Sequence, residues 1–184
     1  MPSPFPKPYA DLVARLRVPF GFILVVAFAL LSRPSAHSLA YGLPVGVVGL
    51  LIRAWAAGHL EKNMSLAESG PYAYVRNPLY IGTLLVAAGL VIASRRWVLA
   101  AIFGGVFLFV YLPVIELEEQ HLRSLFPAYE DYARRVPALI PSWRTERAPG
   151  RFLWRRYIRN EEYQALAGFV AGVVFLVVKL LIWK

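Results

Sequence analysis

Apolar residues in this chain gather into long unbroken runs, with charged and proline-rich stretches between them. Five runs stand out: Val18 to Leu31, Ser38 to Gly58, Leu79 to Ala93, Trp97 to Ile115 and Ala165 to Trp183. A helix that crosses a bilayer needs about 20 such residues. The pattern therefore predicts an all-α, polytopic integral membrane protein with about five transmembrane helices. The first run is short unless its helix begins near Leu12, with Arg15 and Arg17 snorkelling to the interface. The third is also short, so it is tilted or begins inside the proline-rich stretch before it. Only Ser94, Arg95 and Arg96 separate the third run from the fourth, which predicts a tight antiparallel hairpin. Before the first run, the prolines at 2, 4, 6 and 8 predict an extended arm from Met1 to Tyr9, and Asp11 to Arg17 an amphipathic turn or two. The start does not have the order of basic, apolar and small residues that marks a signal peptide.

The stretch Gly70 to Gly82, G-P-Y-A-Y-V-R-N-P-L-Y-I-G, lies between two apolar runs and is too polar for lipid. Pro71 and Pro78 stop helices and push the residues before them toward extended backbone. Tyr72, Tyr74 and Tyr80 suit a water–lipid boundary. An interfacial loop whose tyrosines anchor helices accounts for these residues as well as an ordered binding element does.

Composition supports the membrane reading. Of 184 residues, 58% are hydrophobic, and the mean hydropathy is +0.52; soluble domains are about 45–50% apolar. The formal charge is +9, but the arginines and lysines flank apolar runs, as the positive-inside rule places them, so nucleic acid is not the expected partner. Glu116 to Gln164 carries nine arginines and is expected to be cytoplasmic. Counting back through the spans puts Glu61–Pro78 and the N-terminus on that same side, with Arg95 and Lys184 opposite. Both polar motif regions then share one face of the membrane. The chain has no cysteine, and His37, His59 and His121 are scattered, so no metal site is expected. Gly42/Gly46 and Gly168/Gly172 are small-xxx-small pairs. They are expected to pack helices within one chain, as a monomer or, less favoured, a homodimer.

Within the runs and between them are the groups that carry chemistry. Arg53 lies in the second apolar run, where a charge is expensive and is paired, snorkels or serves a function. Glu116, Glu118 and Glu119 end the fourth run; Glu116 and Glu119 share a helix face. Such a cluster needs compensation from Arg53, Arg76, Arg135 or a cationic ligand. Phe126 to Tyr132 places Tyr129 and Tyr132 on one helical face, as an amphipathic interfacial helix does, and Arg134 to Pro141 follows as a basic, then extended, stretch. Arg144 to Tyr163 is rich in arginine and aromatics. It is expected to lie on anionic lipid and to carry no catalytic residue. Dinucleotide, P-loop, H-E-x-x-H and nucleophile-elbow motifs are all missing from the sequence.

Arg76-Asn77-Pro78-Leu79-Tyr80, taken with Glu118-Glu119, Phe126 to Tyr132 and Arg135-Val136-Pro137, resembles the membrane methyltransferases that include the isoprenylcysteine carboxyl and phosphatidylethanolamine N-methyltransferases. The resemblance runs from about Arg53 to Pro141, with 142–184 as a C-terminal amphipathic segment and last helix of one domain. It implies S-adenosylmethionine as cofactor, bound among helices and loops at the cytoplasmic face. It also implies a membrane lipid or amphiphilic small molecule as acceptor. Glu118 and Glu119 are then candidates for the cofactor's ammonium or ribose, and Arg76 or Arg135 for its carboxylate. Tyr72, Tyr80, Tyr129 and Tyr132 can offer faces to adenine or the sulfonium, and Asn77 and Pro78 belong to the same motif. Catalytic candidates are Glu119, Glu116 and Arg53; for an amine acceptor, Glu119 or Glu116 takes the proton. Asn77 stands where many carboxyl methyltransferases have histidine, and Tyr111 to Ile115 lacks their acceptor arginine, so a lipid amine or another amphiphile is expected. The expected location is a prokaryotic inner membrane, with the N-terminus in the cytoplasm by the arginine count. Two other classes stay open: a non-catalytic lipid-binding module, and a reductase of related fold using NADPH.

Overall fold

A computed structural model describes residues 6–142 and 150–182. Eight α-helices, one 3-10 turn and one π-helical turn make up its regular structure among these residues. Helix α1, Lys7–Leu31, bends by 51° between Leu16 and Val18, next to Pro19. That proline has no amide to give the preceding turn and crowds it, which bends a helix there. Residues from Lys7 onward are thus helical, not an extended arm, because Pro8 falls in the first turn, where its missing amide costs nothing. The rest of the expected arm lies outside the described residues.

Helix α2, Ala36–His59, begins at Ser35, whose side chain accepts from the Ser38 amide while Ser38 reciprocates. Helix α3, Pro78–Ser94, starts inside the proline-rich motif, with Pro78 in its first turn. Its 17 residues span about 25 Å at 1.5 Å each, short of a full bilayer core. Arg95 at φ 56° ends α3 in the left-handed conformation, and α4, Trp97–Val106, returns at once. The hairpin is therefore as tight as the sequence requires.

Beyond α4 the helix continues through a π-helical turn, Phe107–Tyr111, into α5, Leu112–Leu125. Pro113 explains the widening. It has no amide for the Phe109 carbonyl one turn back. The Tyr9 hydroxyl of α1 donates to that carbonyl instead, at 2.6 Å. The helix does not stop at Ile115 but runs on to Leu125, so the three glutamates stand on an extension of nearly three turns past the apolar run. Short helices α6, Tyr129–Arg135, and α7, Trp154–Arg159, precede α8, Tyr163–Ile182.

Ala36–His59, Trp97–Leu125 and Tyr163–Ile182 are long and apolar enough to cross a membrane, and the two arms of α1 make a fourth if they form one span. With α3 as the shorter apolar helix, this is an all-α integral membrane protein. Its outer surface exposes Phe22, Leu30, Phe109 and Leu181, as lipid-facing helices do.

Helices α2 and α3 pack through glycines. A methyl group built on Gly49 would sit 2.6 Å from the Gly82 carbonyl oxygen, and one on Gly89 would sit 2.5 Å from the Gly46 amide. Gly42 and Gly46 thus serve contacts within the chain, while Gly168 has open space around it. At the end of the bundle away from the motifs, the α1 carboxyl terminus is capped by cations. Lys179 donates to the Ala29 carbonyl at 2.6 Å, and Arg96 to the Leu31 carbonyl at 3.0 Å. The other end of the bundle, where α2, α5 and α6 finish and α3 and α8 begin, holds every motif.

Candidate active site

The Gly70 to Gly82 stretch is an ordered element. Gly70 adopts φ +61°, and a side chain there would strike the His59 ring at 2.6 Å, so glycine is required on both counts. It opens the 3-10 turn Gly70–Ala73, which buries Pro71, Tyr72 and Ala73. The Tyr132 hydroxyl of α6 donates to the Tyr72 carbonyl at 2.8 Å. Arg76 and Asn77 then run alongside Pro137 and Ala138, and their amides donate to those two carbonyls at 2.9 and 3.2 Å.

Glu119 sits at the crossing of these pieces. It is buried, and Arg76 grips it with both prongs, Nε to Oε1 at 3.1 Å and Nη2 to Oε2 at 2.9 Å. Asn77 Nδ2 donates to the same carboxylate at 3.0 Å. Arg76 Nη1 ties the assembly to α6 through the Ala133 and Val136 carbonyls, both at 2.9 Å. The four sequence motifs thus form one hydrogen-bonded unit.

Beside this unit lies a cavity of about 660 Å³, within the range of roughly 300–1,000 Å³ that small-molecule sites occupy. Of the residues named from sequence, Arg53, Tyr72, Arg76, Asn77, Pro78, Tyr80 and Glu118 line it. Tyr80 and Tyr111 meet edge to face across 6.2 Å on its wall. Glu118 is exposed and has no ion-pair partner among the described residues, whereas its neighbour Glu119 points into the protein. The paired glutamates therefore divide: one faces the cavity, the other holds the scaffold.

The remaining candidates lie elsewhere. Tyr129 and Tyr132 are buried with Val136 in an apolar cluster behind the cavity, their rings 6.0 Å apart. Burial pushes the phenols of Tyr72, Tyr129 and Tyr132 far above their ordinary range, and the Glu119 carboxylate adds to the shift at Tyr129. All three stay protonated at neutral pH. Arg135 is exposed, pairs with Glu68 at 3.0 Å and borders a separate shallow groove with Ile140 and Ser142. Glu116 is half-buried and lies off the cavity wall.

Arg53 has a partner that the sequence pattern did not suggest. Its Nε and Nη2 donate to Glu162 at 2.9 and 2.7 Å, and its Nη1 donates to Thr83 and to the Leu79 carbonyl. Glu162 ends the segment expected to carry no chemistry, yet Arg159, Asn160, Glu161 and Glu162 all line the cavity. Burial raises the Glu162 carboxyl above its ordinary range, with Arg53 pulling the other way. Tyr111 and Thr83 were also unforeseen. Thr83 was legible as the residue one turn beyond Tyr80; Glu162 was signalled only by a carboxylate pair abutting the last apolar run.

A family profile described as phospholipid methyltransferase matches residues 46–129. The nickel-cobalt-cadmium resistance protein NccN of Alcaligenes xylosoxydans xylosoxydans is 32% identical over 149 residues, covering 74% of this chain and 70% of its own length. The chain belongs to the phospholipid methyltransferase family. The cobalt-zinc-cadmium resistance protein CzcN of Cupriavidus metallidurans is 35% identical over 131 residues; the match covers 64% of this chain and 61% of that protein. The protein-S-isoprenylcysteine O-methyltransferase of Schizosaccharomyces pombe is 28% identical over 141 residues, which is 73% of this chain and 59% of the yeast protein. No solved structure gives a significant match. The family match contains Arg53, the proline-tyrosine motif and both glutamates. It stops at 129, before the segment that supplies Glu162.

Proposed function

We propose that this protein transfers the methyl group of S-adenosylmethionine to a lipid-like or amphiphilic acceptor at the cytoplasmic face of a bacterial inner membrane. The observation that carries the reading is one cavity, at the polar end of apolar helices, on which Arg53, the proline-tyrosine motif and Glu118 converge. The family and the yeast relative's name support methyl transfer. The two metal-resistance proteins come from bacteria, which supports the membrane assigned. The arginines of the motif end favour a cytoplasmic placement, with the N-terminus on that side.

The donor set fits this cofactor. Glu118 offers an unpaired carboxylate to an ammonium or a ribose hydroxyl. Tyr80 and Tyr111 offer ring edges and faces to a flat base. Arg76 borders the cavity, but its donors are engaged by Glu119 and two carbonyls, so its part is to hold the wall in shape. When bound, the cofactor supplies an activated methyl group for in-line displacement. The residues of this chain bind and orient both reactants and keep water out, which is most of what such a transfer needs. Leu79 and Thr83 of the apolar helix α3 and Tyr111 of the π turn also line the cavity, and an acceptor arriving from the bilayer would meet them.

The test is calorimetric titration of the purified protein with S-adenosylhomocysteine. Binding in the micromolar range is expected, and Glu118→Gln should weaken it about tenfold or more without changing the melting temperature. Labelled S-adenosylmethionine should then pass label to a solvent-extractable acceptor in native membranes. Folded wild type that binds NADPH but not S-adenosylhomocysteine would instead make it a reductase. Binding of neither would leave a lipid-binding module.

A further inference from the structure

Glu162 lies beyond the family match, yet it makes a largely buried ion pair on the cavity wall. Its side chain is 7% exposed and that of Arg53 is 21% exposed. Both prongs of the guanidinium engage it, and the third nitrogen is turned to Thr83 and the Leu79 carbonyl. Gly82 makes the approach: a side chain there would meet Arg53 Cγ at 2.5 Å. Glu161 just before it sits at φ 56°, a left-handed conformation that few non-glycine residues adopt. That turn aims Glu162 back toward α2.

The segment carrying Glu162 is fastened to the end of α2 along its length. The Leu153 amide donates to the Gly58 carbonyl at 3.0 Å. Arg156 pairs with Glu61 at 2.8 Å. Asn160 Nδ2 donates to the Ala57 and Leu60 carbonyls, both at 3.0 Å. Asn160 thereby caps the end of α2, sharing the Ala57 carbonyl with the Leu60 amide. Glu162 is therefore held in place by geometry independent of Arg53.

The charges facing the cavity can be summed by position. Arg53 is neutralised by Glu162, and Arg76 by Glu119. Glu161 is exposed and accepts from Gln164. Lys62 and Arg159 are exposed at the mouth, where water and salt screen them. Glu118 and Glu161 are left as the lining carboxylates without a cationic partner among the described residues.

We propose that Glu162 is a positioning residue that sets the charge preference of the cavity. By holding and neutralising Arg53 it lets a cationic ligand enter; without it, a bare guanidinium faces that ligand. The inference rests on the methyltransferase reading, because the physiological pair of ligands then differs in charge. S-adenosylmethionine carries a sulfonium, and S-adenosylhomocysteine has a neutral thioether in its place. A unit charge about 10 Å away, at an effective dielectric of about 20, changes the relative affinity of two such ligands by roughly tenfold. Lost packing or loosened structure weakens both ligands alike and does not move their ratio.

The experiment is calorimetry of the full chain in detergent with each of the two ligands, for wild type, Glu162→Gln, Arg53→Gln and the double variant. Glu162→Gln should shift the affinity ratio about tenfold toward S-adenosylhomocysteine. Arg53→Gln, which bares Glu162, should shift it toward S-adenosylmethionine, and the double variant should restore it. If Glu162→Gln does not fold, the opposite shift in Arg53→Gln carries the test. Wild-type binding with a ratio that stays put in the folded variants would overturn the role of Glu162 alone. A wild type that binds neither ligand would overturn the methyltransferase reading and this inference with it.

Discussion

Glu118 and Glu119 are neighbours of identical chemistry, and the structure predicts opposite consequences for their substitution. Glu119 accepts from Arg76 Nε, Arg76 Nη2 and Asn77 Nδ2, and it is 6% exposed. Glu119→Gln keeps the shape but leaves one acceptor oxygen, so its amide nitrogen must face a guanidinium or an amide donor. Hydrogen bonds to charged groups contribute about 1.5–3 kcal/mol each, and removing one partner of a buried pair costs about 3–5 kcal/mol. Arg76 keeps its two carbonyl acceptors and is 13% exposed, which places the expected cost near the lower end, at about 3 kcal/mol. Glu118→Gln breaks no contact and should leave stability within about 0.5 kcal/mol. The assay is unfolding in mixed detergent micelles, run beside S-adenosylhomocysteine titration. Glu119→Gln should unfold early, and Glu118→Gln should unfold like wild type while losing affinity. A Glu119→Gln protein of wild-type stability would refute the scaffold role, since no buried charge pair could then be at stake.

Three further outcomes follow from single contacts. Gly89→Ala pushes a methyl group against the Gly46 amide and Gly42 carbonyl, and should cost about 1–3 kcal/mol in the same unfolding assay, whereas Gly104→Ala, with nothing within 4 Å, should be nearly silent. Tyr9→Phe removes the donor that serves the Phe109 carbonyl beside Pro113, and should cost about 1 kcal/mol, with a lower melting temperature as the readout. The raised Glu162 carboxyl gives a pH dependence of known sign. The folded chain keeps that proton to higher pH than the unfolded chain, whose ordinary value is 4.5. Its contribution to stability is therefore full below that value and is lost as pH rises through the folded value. Unfolding measured from acid to neutral pH should show wild type losing stability relative to Glu162→Gln as pH rises.

By itself the sequence determined which segments are helical in the membrane, where the hairpin turns and which end carries the chemistry. Long apolar runs have few alternatives in lipid, since an unsatisfied backbone there is too costly, and Pro78 and Arg95-Arg96 mark boundaries that local sterics enforce. The proline-tyrosine motif and the paired glutamates were legible for a related reason: their spacing is local. Tertiary structure decided what each motif residue faces. Adjacent residues on a helix point about 100° apart, so Glu118 looks into the cavity and Glu119 into Arg76, a distinction that depends on where α3 and α6 pack. For the same reason Tyr129 and Tyr132 pack in an apolar cluster behind the cavity, and Arg135 lies at the surface beside Glu68. Arg53 found Glu162 109 residues away, beyond any periodicity in the chain. Only folding brings such a pair together, because a guanidinium at membrane depth must meet a carboxylate, and several stood within reach of the pattern. The π turn at Phe107–Tyr111 was not read from the sequence: it rests on Pro113, which lacks a donor, and on Tyr9, which supplies one from another helix.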